Sequence, residues 1–295
     1  MSDIALWPQG APGSEAVSLV EVCEERSPDT AVFQDRALSN IDRPRIVLFK
    51  PECPDGCSVL LAPGGGYQRV VWDKEGVEVA RWLNSLGVTV GILVYRLPAE
   101  GHAKPELVPL QDAQRGLRLM RQYAAANGLD AARVGAMGFS AGGHVAASLA
   151  TRFDEAVYLP RDAADALSAR PDFLALGYPV ISMQSAIAHA GSRERLLGPE
   201  PGAAAVDLAS AELRARADGP QSFIFLPDDD AAVPPENGVN FYLALRRVGV
   251  PAELHVFRNG GHGFGIRLAV GPVREWTGLF ERWLRHGGWL KAALT

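Results

Sequence analysis

Cysteine is scarce in this chain, with three residues in 295. Cys23, Cys53 and Cys57 form an odd, sparse set, which argues against a disulfide framework and suits a reducing compartment. The pair in "CPDGC" lacks the second pair of ligands that a tetrahedral metal site needs, so no metal is expected there. Basic charge is also in short supply: 29 Lys and Arg stand against 34 Asp and Glu, for a net charge of −5. That balance offers no cationic footprint for nucleic acid or for an anionic membrane surface. No apolar run reaches the roughly 20 residues that cross a bilayer. The stretch "MSDIALWPQGAPGSE" has neither a basic segment nor a long apolar one. No secretion signal is therefore expected, and a cytoplasmic location is. No repeat, low-complexity tract or clear linker interrupts the chain, so one domain over 1–295 is expected.

What the chain does have is an alternation of short β-rich runs and longer amphipathic segments. Strands are predicted at "RIVLFK" (45–50), "CSVLLA" (57–62), "VTVGILVY" (88–95), "VGAMGF" (134–139), "FLALGYPVI" (173–181), "SFIFLP" (222–227) and "AELHVF" (252–257). Several are almost continuously apolar, as befits strands covered on both faces. Between them, apolar residues recur at spacings of three and four, which predicts helices near 73–86, 110–124, 141–151, 235–248 and 272–286. Strand–helix alternation of this kind implies an α/β fold, with a mostly parallel sheet and helices on both faces. Residues 151–220, rich in Ala, Pro and Gly, are the least regular and read as an insertion over the carboxyl edge of the sheet.

One motif promises chemistry. "GFSAG" (138–142) has the G-x-S-x-G spacing of a nucleophile elbow, where a sharp strand-to-helix turn lifts a serine above a sheet. A strand precedes it and a helix of small residues follows, so Ser140 would sit in a strained backbone conformation at a helix N-terminus. An elbow needs an oxyanion hole, and "APGGGY" (62–67) ends an earlier strand in three glycines. The N–H groups of Gly65 and Gly66, with that of Ala141 after the nucleophile, are the expected donors. A general base should come late in the chain. Of His102, His144, His189, His255, His262 and His286, His262 lies in the loop "NGGHGFG" directly after a strand and is the best placed. His255 lies within that strand, and His144 one helical turn below the nucleophile, where a packing role is expected. His189 lies in the irregular segment, within reach of a substrate. The acid should follow a strand and precede the histidine. "FLPDDDAAVPPEN" supplies Asp228, Asp229 and Asp230, of which a triad needs one to orient the imidazole.

These stretches, with "YRLP" (95–98), "PLQDAQRGLRLMR" (109–121), "RPDF", "YPVIS", "GSRERLLG" and "LWPQGAPG", resemble the α/β-hydrolase-fold esterases. They are most similar to the bacterial acetylesterases often labelled xylanase-B-like. The resemblance covers nearly the whole chain. It implies a mainly parallel eight-stranded sheet and ester hydrolysis without a cofactor. It also implies Ser140 as nucleophile, His262 as base, and Asp230 as acid, because Asp230 stands three before Val233 in a D-x-x-V-P pattern. Two departures stand out: Pro63 replaces a histidine that many lipases carry before the glycines, and "LPDDD" replaces a usual "HAxDD". The second leaves Asp229 as the next candidate for the acid.

The expected substrate is a small-molecule ester, an acetylated sugar such as an acetylated xylo-oligosaccharide, with Tyr67 and the 151–220 segment shaping its pocket. A peptidase on the same fold would need a second domain to enclose a peptide. A glycosidase would need two carboxylates flanking a glycosidic bond and has no use for an elbow. A non-catalytic binder on a hydrolase scaffold would be expected to have lost the serine or histidine, and both are here.

Overall fold

The runs of Val, Ile, Leu and Phe pair into one sheet. A computed structural model of the chain describes residues 2–291. Its strands are β1 (Ser2–Ala5), β2 (Val22–Glu25), β3 (Arg36–Ser39), β4 (Arg45–Phe49), β5 (Ser58–Ala62), β6 (Val70–Val71), β7 (Thr89–Val94), β8 (Val134–Phe139), β9 (Phe173–Gly177), β10 (Gln221–Pro227) and β11 (Ala252–Phe257). Its α-helices are α1 (Glu78–Ser85), α2 (Val108–Ala126), α3 (Ser140–Thr151), α4 (Ala190–Leu197), α5 (Ala203–Ala209), α6 (Glu236–Arg247) and α7 (Trp276–His286). Eight strands form the main sheet in the order β1-β4-β7-β5-β8-β9-β10-β11. The β1–β4 and β4–β7 pairs are antiparallel, and all the others run parallel. This is the α/β-hydrolase architecture.

Every residue of β5, β7, β8 and β9 is buried, which explains their unbroken apolar character. The edge strand β11 is half exposed and alternates instead. Aromatic contacts fix the helices to the sheet: Trp276 of α7 stacks on Phe225 of β10 at 4.5 Å and meets Trp82 of α1 at 5.1 Å. The predicted helix over 73–86 begins as a single π-helical turn, Asp73–Val77, before α1. A smaller antiparallel sheet, β2-β3-β6, lies outside the predicted strands. It is tied to that turn by Arg36, whose guanidinium grips both oxygens of Asp73 at 2.9 and 2.7 Å.

The N-terminal stretch is strapped down by buried charge. Asp112 accepts from Trp7 Nε1 at 2.7 Å and from the Arg96 backbone and guanidinium, while Arg115 donates to Leu6 O. Arg96 and Asp112 are 1% and 0% exposed, so removing either partner would strand a buried charge, at a cost of about 3–5 kcal/mol. "YRLP" and "QDAQRGLR" are thus halves of one scaffold. Residues 151–220 are mixed: β9 belongs to the main sheet, whereas α4 and α5 follow it in a segment over the strands' carboxyl ends.

Candidate active site

Four loops meet where parallel strands end: 63–66 after β5, the turn at Ser140 after β8, 228–235 after β10 and 258–265 after β11. The carboxyl edge of such a sheet is where ligand sites form. Ser140 has φ of 51°, in the left-handed region that a non-glycine residue adopts only under constraint. The constraint is local. A Cβ on Gly142 would lie 2.1 Å from Ala62 O, so the helix can approach β5 this closely only without one. The Val180 N–H donates to Ser140 O at 2.9 Å, fixing the turn from the other side.

Ser140 Oγ lies 2.8 Å from His262 Nε2, and His262 Nδ1 lies 2.7 Å from Asp230 Oδ2. A carboxylate only accepts, so Nδ1 carries the hydrogen and Nε2 is left free to accept from the serine hydroxyl. The second oxygen of Asp230 accepts the N–H groups of Ala232 and Val233, both at 2.9 Å. That explains the D-x-x-V spacing: the aspartate caps its own turn with one oxygen and faces the imidazole with the other. Asp230 is buried, its side chain 2% exposed, whereas the imidazole is 24% exposed. Asp229 does something different. Its Oδ1 accepts from Gly260 and Gly261 N–H at 2.9 and 2.8 Å, clamping the loop that carries His262. The Gly261 N–H, first, holds that carboxyl below its ordinary range. Asp228 is exposed and only its backbone is engaged, to Phe257 O.

The glycine loop is held from beneath by a carboxylate absent from the expected set. Glu75, 3% exposed, accepts the Gly64 N–H at 2.8 Å through Oε2 and the Tyr178 hydroxyl at 3.0 Å through Oε1. Tyr178 OH in turn accepts the Gly265 N–H at 3.0 Å, so a single carboxylate couples the glycine loop to the histidine loop. The Tyr95 hydroxyl adds a bond to Pro63 O at 2.9 Å. Gly65 turns through φ of 130°, and a Cβ there would sit 2.1 Å from Arg69 O. Gly65 and Gly66 line the same cavity as Ser140, with Ala141 opening α3 beside it. Nothing in the local sequence marks Glu75. It sits in a helix-like run, "DKEGVEVARW", where a carboxylate reads as solvated.

Tyr67 is placed elsewhere than expected. Its ring is 1% exposed and packs edge-on against Tyr95 and His144. Its hydroxyl lies 2.7 Å from His144 Nδ1, and His144 Nε2 lies 2.7 Å from Ala209 O. The carbonyl can only accept, so Nε2 carries the hydrogen and Tyr67 donates to Nδ1. Tyr67 therefore supports the glycine loop from below and does not line the cavity. Burial pushes its hydroxyl well above the ordinary tyrosine value, and pushes His144 down to about 4. His144 thus joins the glycine loop to the last residue of α5, in the packing position expected of it. The stretch between β9 and α4 is anchored by Asn237 of α6, whose side chain bonds Ile181 and Ser182 N–H and Ile187 O.

The cavity over Ser140 has a volume of about 420 Å³ and includes His189, Arg195, Arg69 and Lys74 in its walls. His189 Nδ1 accepts from Ser192 N–H at 3.1 Å, and burial followed by the charges of His262 and Arg195 lowers its pKa. A larger cavity, about 650 Å³, lies against the N-terminal strap beside Gly13, Lys104 and Arg152. It holds no nucleophile. Cys57 is no rival to Ser140: it is buried, and desolvation pushes its thiol up to about 12. His255 pairs with Glu253 on the edge strand, and His102 meets Ser14 near the strap.

Comparison with known proteins agrees with the fold. The BD-FAE family matches over residues 64–245. An acetylxylan esterase of Xylanibacter ruminicola is 31% identical over 260 residues, which is 86% of this chain and 49% of that protein. Endo-1,4-β-xylanase B of Butyrivibrio fibrisolvens is 34% identical over 208 residues, 70% of this chain and 32% of that protein. The chain thus spans about half the length of the first and about a third of the second. Among solved structures, an acetyl ester-xyloside bifunctional hydrolase from Caldicellulosiruptor lactoaceticus superposes with a TM-score of 0.79 at 34% identity, over 98% of this chain and 97% of that one. A carboxylesterase from Lactobacillus plantarum, at 21% identity and a TM-score of 0.68 over 92% of this chain and all of its own, shares the fold.

Proposed function

The chain belongs to the BD-FAE family of α/β-hydrolase-fold esterases, and from that premise we propose that it removes short acyl groups, acetyl foremost, from sugar esters such as acetylated xylo-oligosaccharides. The observation that carries the reading is the continuous line Ser140–His262–Asp230, at 2.8 and 2.7 Å, opening into a cavity walled by glycine backbone. His262 Nε2 takes the serine proton as Oγ attacks the ester carbonyl. The imidazolium is stabilised by Asp230, and the oxyanion faces the N–H groups of Gly65, Gly66 and Ala141. The proton then passes to the leaving alcohol, leaving an acyl group on Ser140. Water repeats the sequence, gives its proton to His262, and releases the acid. The cavity suits a short acyl group on a small alcohol. The acetyl and xylose chemistry in the relatives' names supports the choice of substrate.

Asp230 and Glu75 are both engaged, Asp230 with His262 and the turn at 232–233 and Glu75 with Gly64 and Tyr178, which disfavours either as the acid of a glycosidase. None of the described helices is long and apolar enough to cross a membrane.

The test is acetate release from acetylated xylo-oligosaccharides by the native chain and by Ser140→Ala. The expected result is release by the native chain and a loss of about 10⁵-fold or more in the variant. Release by a reactive aryl acetate alone would retain the esterase and discard the sugar. Equal rates in the two proteins would discard the nucleophile.

A further inference from the structure

The chain carries a net charge of −5, yet the walls of the Ser140 cavity are cationic. Arg26, Arg69, Lys74 and Arg195 line it, against the single carboxylate of Glu75. Glu75 is turned inward, with its oxygens given to Gly64 and Tyr178. Two of the cations have partners: Arg26 meets Asp35 at 2.8 Å, and Arg69 meets the exposed Glu24 at a loose 3.6 Å. The other two do not. Among the described residues, no carboxylate lies within the 4.0 Å of an ion pair from Lys74 or Arg195.

Both unpaired cations line the cavity over Ser140. Arg195 reaches back along α4 to Gly191 O at 2.9 Å, with Gly66 O of the glycine loop at 3.5 Å. Lys74 Nζ lies 3.5 Å from where a Cβ would stand on Gly263, the residue after His262. A half-buried guanidinium that bonds only carbonyls retains donors for a carboxylate, and its planar fork matches one. Converging cations in a cleft also raise the local concentration of anionic substrate and its rate of arrival.

We infer that the site selects an ester carrying a negative charge close to the scissile bond, namely an acetylated oligosaccharide that bears a uronic acid carboxylate. The inference rests on the esterase reading and names its substrate more narrowly. Lys74 and Arg195 supply the charge that attracts the carboxylate, while Ser140 in the same cavity takes the acetyl group. Neither residue takes part in the chemical steps. Their contribution is to binding, and it weakens as salt screens the charges.

The deciding experiment compares kcat/KM for 3-acetoxybenzoate and 3-acetoxybenzamide, two acetates of one shape that differ in charge. Their ratio is measured for the native chain, for Lys74→Met, for Arg195→Gln and for the double variant, at low and at physiological salt. The anionic-to-neutral ratio should fall by about tenfold in the double variant, and the native ratio should fall with added salt. A ratio indifferent to both the substitutions and the salt would overturn the inference. Should the double variant fail to fold, the charge-removing single variants with the native salt series decide the matter, a ratio unmoved in all of them overturning the inference. The sugar arm repeats the comparison with acetylated xylo-oligosaccharides with and without a uronic acid branch. A charge preference confined to the aryl pair would overturn the uronic acid as occupant. If the native chain turns over neither aryl ester, it is the esterase reading that has failed.

Discussion

The floor and the rim of the Ser140 cavity are built on opposite principles. The floor is over-determined. Of five non-glycine residues with positive φ among those described, three sit under or beside the cavity: Ser140, Tyr67 and Tyr178. Each strained backbone is pinned, Ser140 by the Val180 N–H, Tyr67 by His144, and Tyr178 by Glu75 and by its own N–H to Phe225 O. Strain of about 1–3 kcal/mol per residue persists only where the surroundings enforce it. The rim has no such enforcement. Its cations are partly exposed side chains on loops, on the π-helical turn and on the eight-residue helix α4, with Arg26 and Arg69 at 24% and 29% exposure. On the proposed reading, the floor carries the reaction and the rim selects the ester. Floor substitutions should therefore act on kcat, and rim substitutions on KM and substrate choice.

The neighbouring aspartates give the sharpest way to break that comparison. In Asp230→Asn the amide can no longer stabilise the imidazolium, and it favours the wrong imidazole tautomer. A fall in kcat of about 10⁴-fold is expected. In Asp229→Asn the side-chain oxygen still accepts from Gly260 and Gly261, so kcat should stay within about fivefold of native. Steady-state kinetics on a short-chain aryl ester checks both. Comparable losses in the two variants would mean that the acid's role is shared across the loop and not held by Asp230.

Glu75→Gln is expected to come next in size. The carboxylate accepts from two donors, whereas an amide offers one oxygen and turns its NH₂ toward the other donor. An unmatched buried pair costs about 1–3 kcal/mol, and falling on the oxyanion loop it should lower kcat by about 10- to 100-fold with little change in KM. Tyr178→Phe removes the link to the histidine loop and one donor to Glu75 but leaves the carboxylate its bond to Gly64, so it should cost less. A KM effect without a kcat effect would place Glu75 in substrate binding and not beneath the loop.

The sequence made the floor's nucleophile readable because its chemistry is enforced by backbone. A turn that requires φ of 51° at Ser140 and excludes a Cβ at Gly142 leaves G-x-S-x-G in the chain. For the same reason, seven strands of the main sheet could be placed from their apolar runs. The eighth, β1, could not. Its four residues, "SDIA", are an exposed antiparallel edge with neither alternation nor a hydrophobic run. The accessory sheet escaped notice similarly, since β2 is exposed along its whole length. Glu75 and Tyr178 were hidden for a different reason. Their roles come from long-range hydrogen bonds, 103 positions apart in the chain, that leave no local pattern. Tyr67 follows the glycines in sequence, which points it at the cavity, but its backbone has a positive φ and its hydroxyl meets His144.

The smallest effect should appear in stability and not in rate, and it too separates floor from rim. His144 is neutral in the folded chain, its pKa pushed from the ordinary 6.5 to about 4 by burial. Unfolding exposes it, so between those values the unfolded chain binds the extra proton. The stability from a neutral His144 is thus complete above pH 6.5 and is lost as the pH falls toward 4. By pH 5 the loss is of the order of 2 kcal/mol, or about 4 °C in melting temperature for a chain of this size. His102 and His189 are lowered by burial as well and add to the slope with the same sign. Thermal melts between pH 7 and 5 should therefore fall more steeply for the native chain than for His144→Gln, which has no proton to take up there. Equal slopes would show that His144 is not held neutral by the Tyr67 and Ala209 contacts.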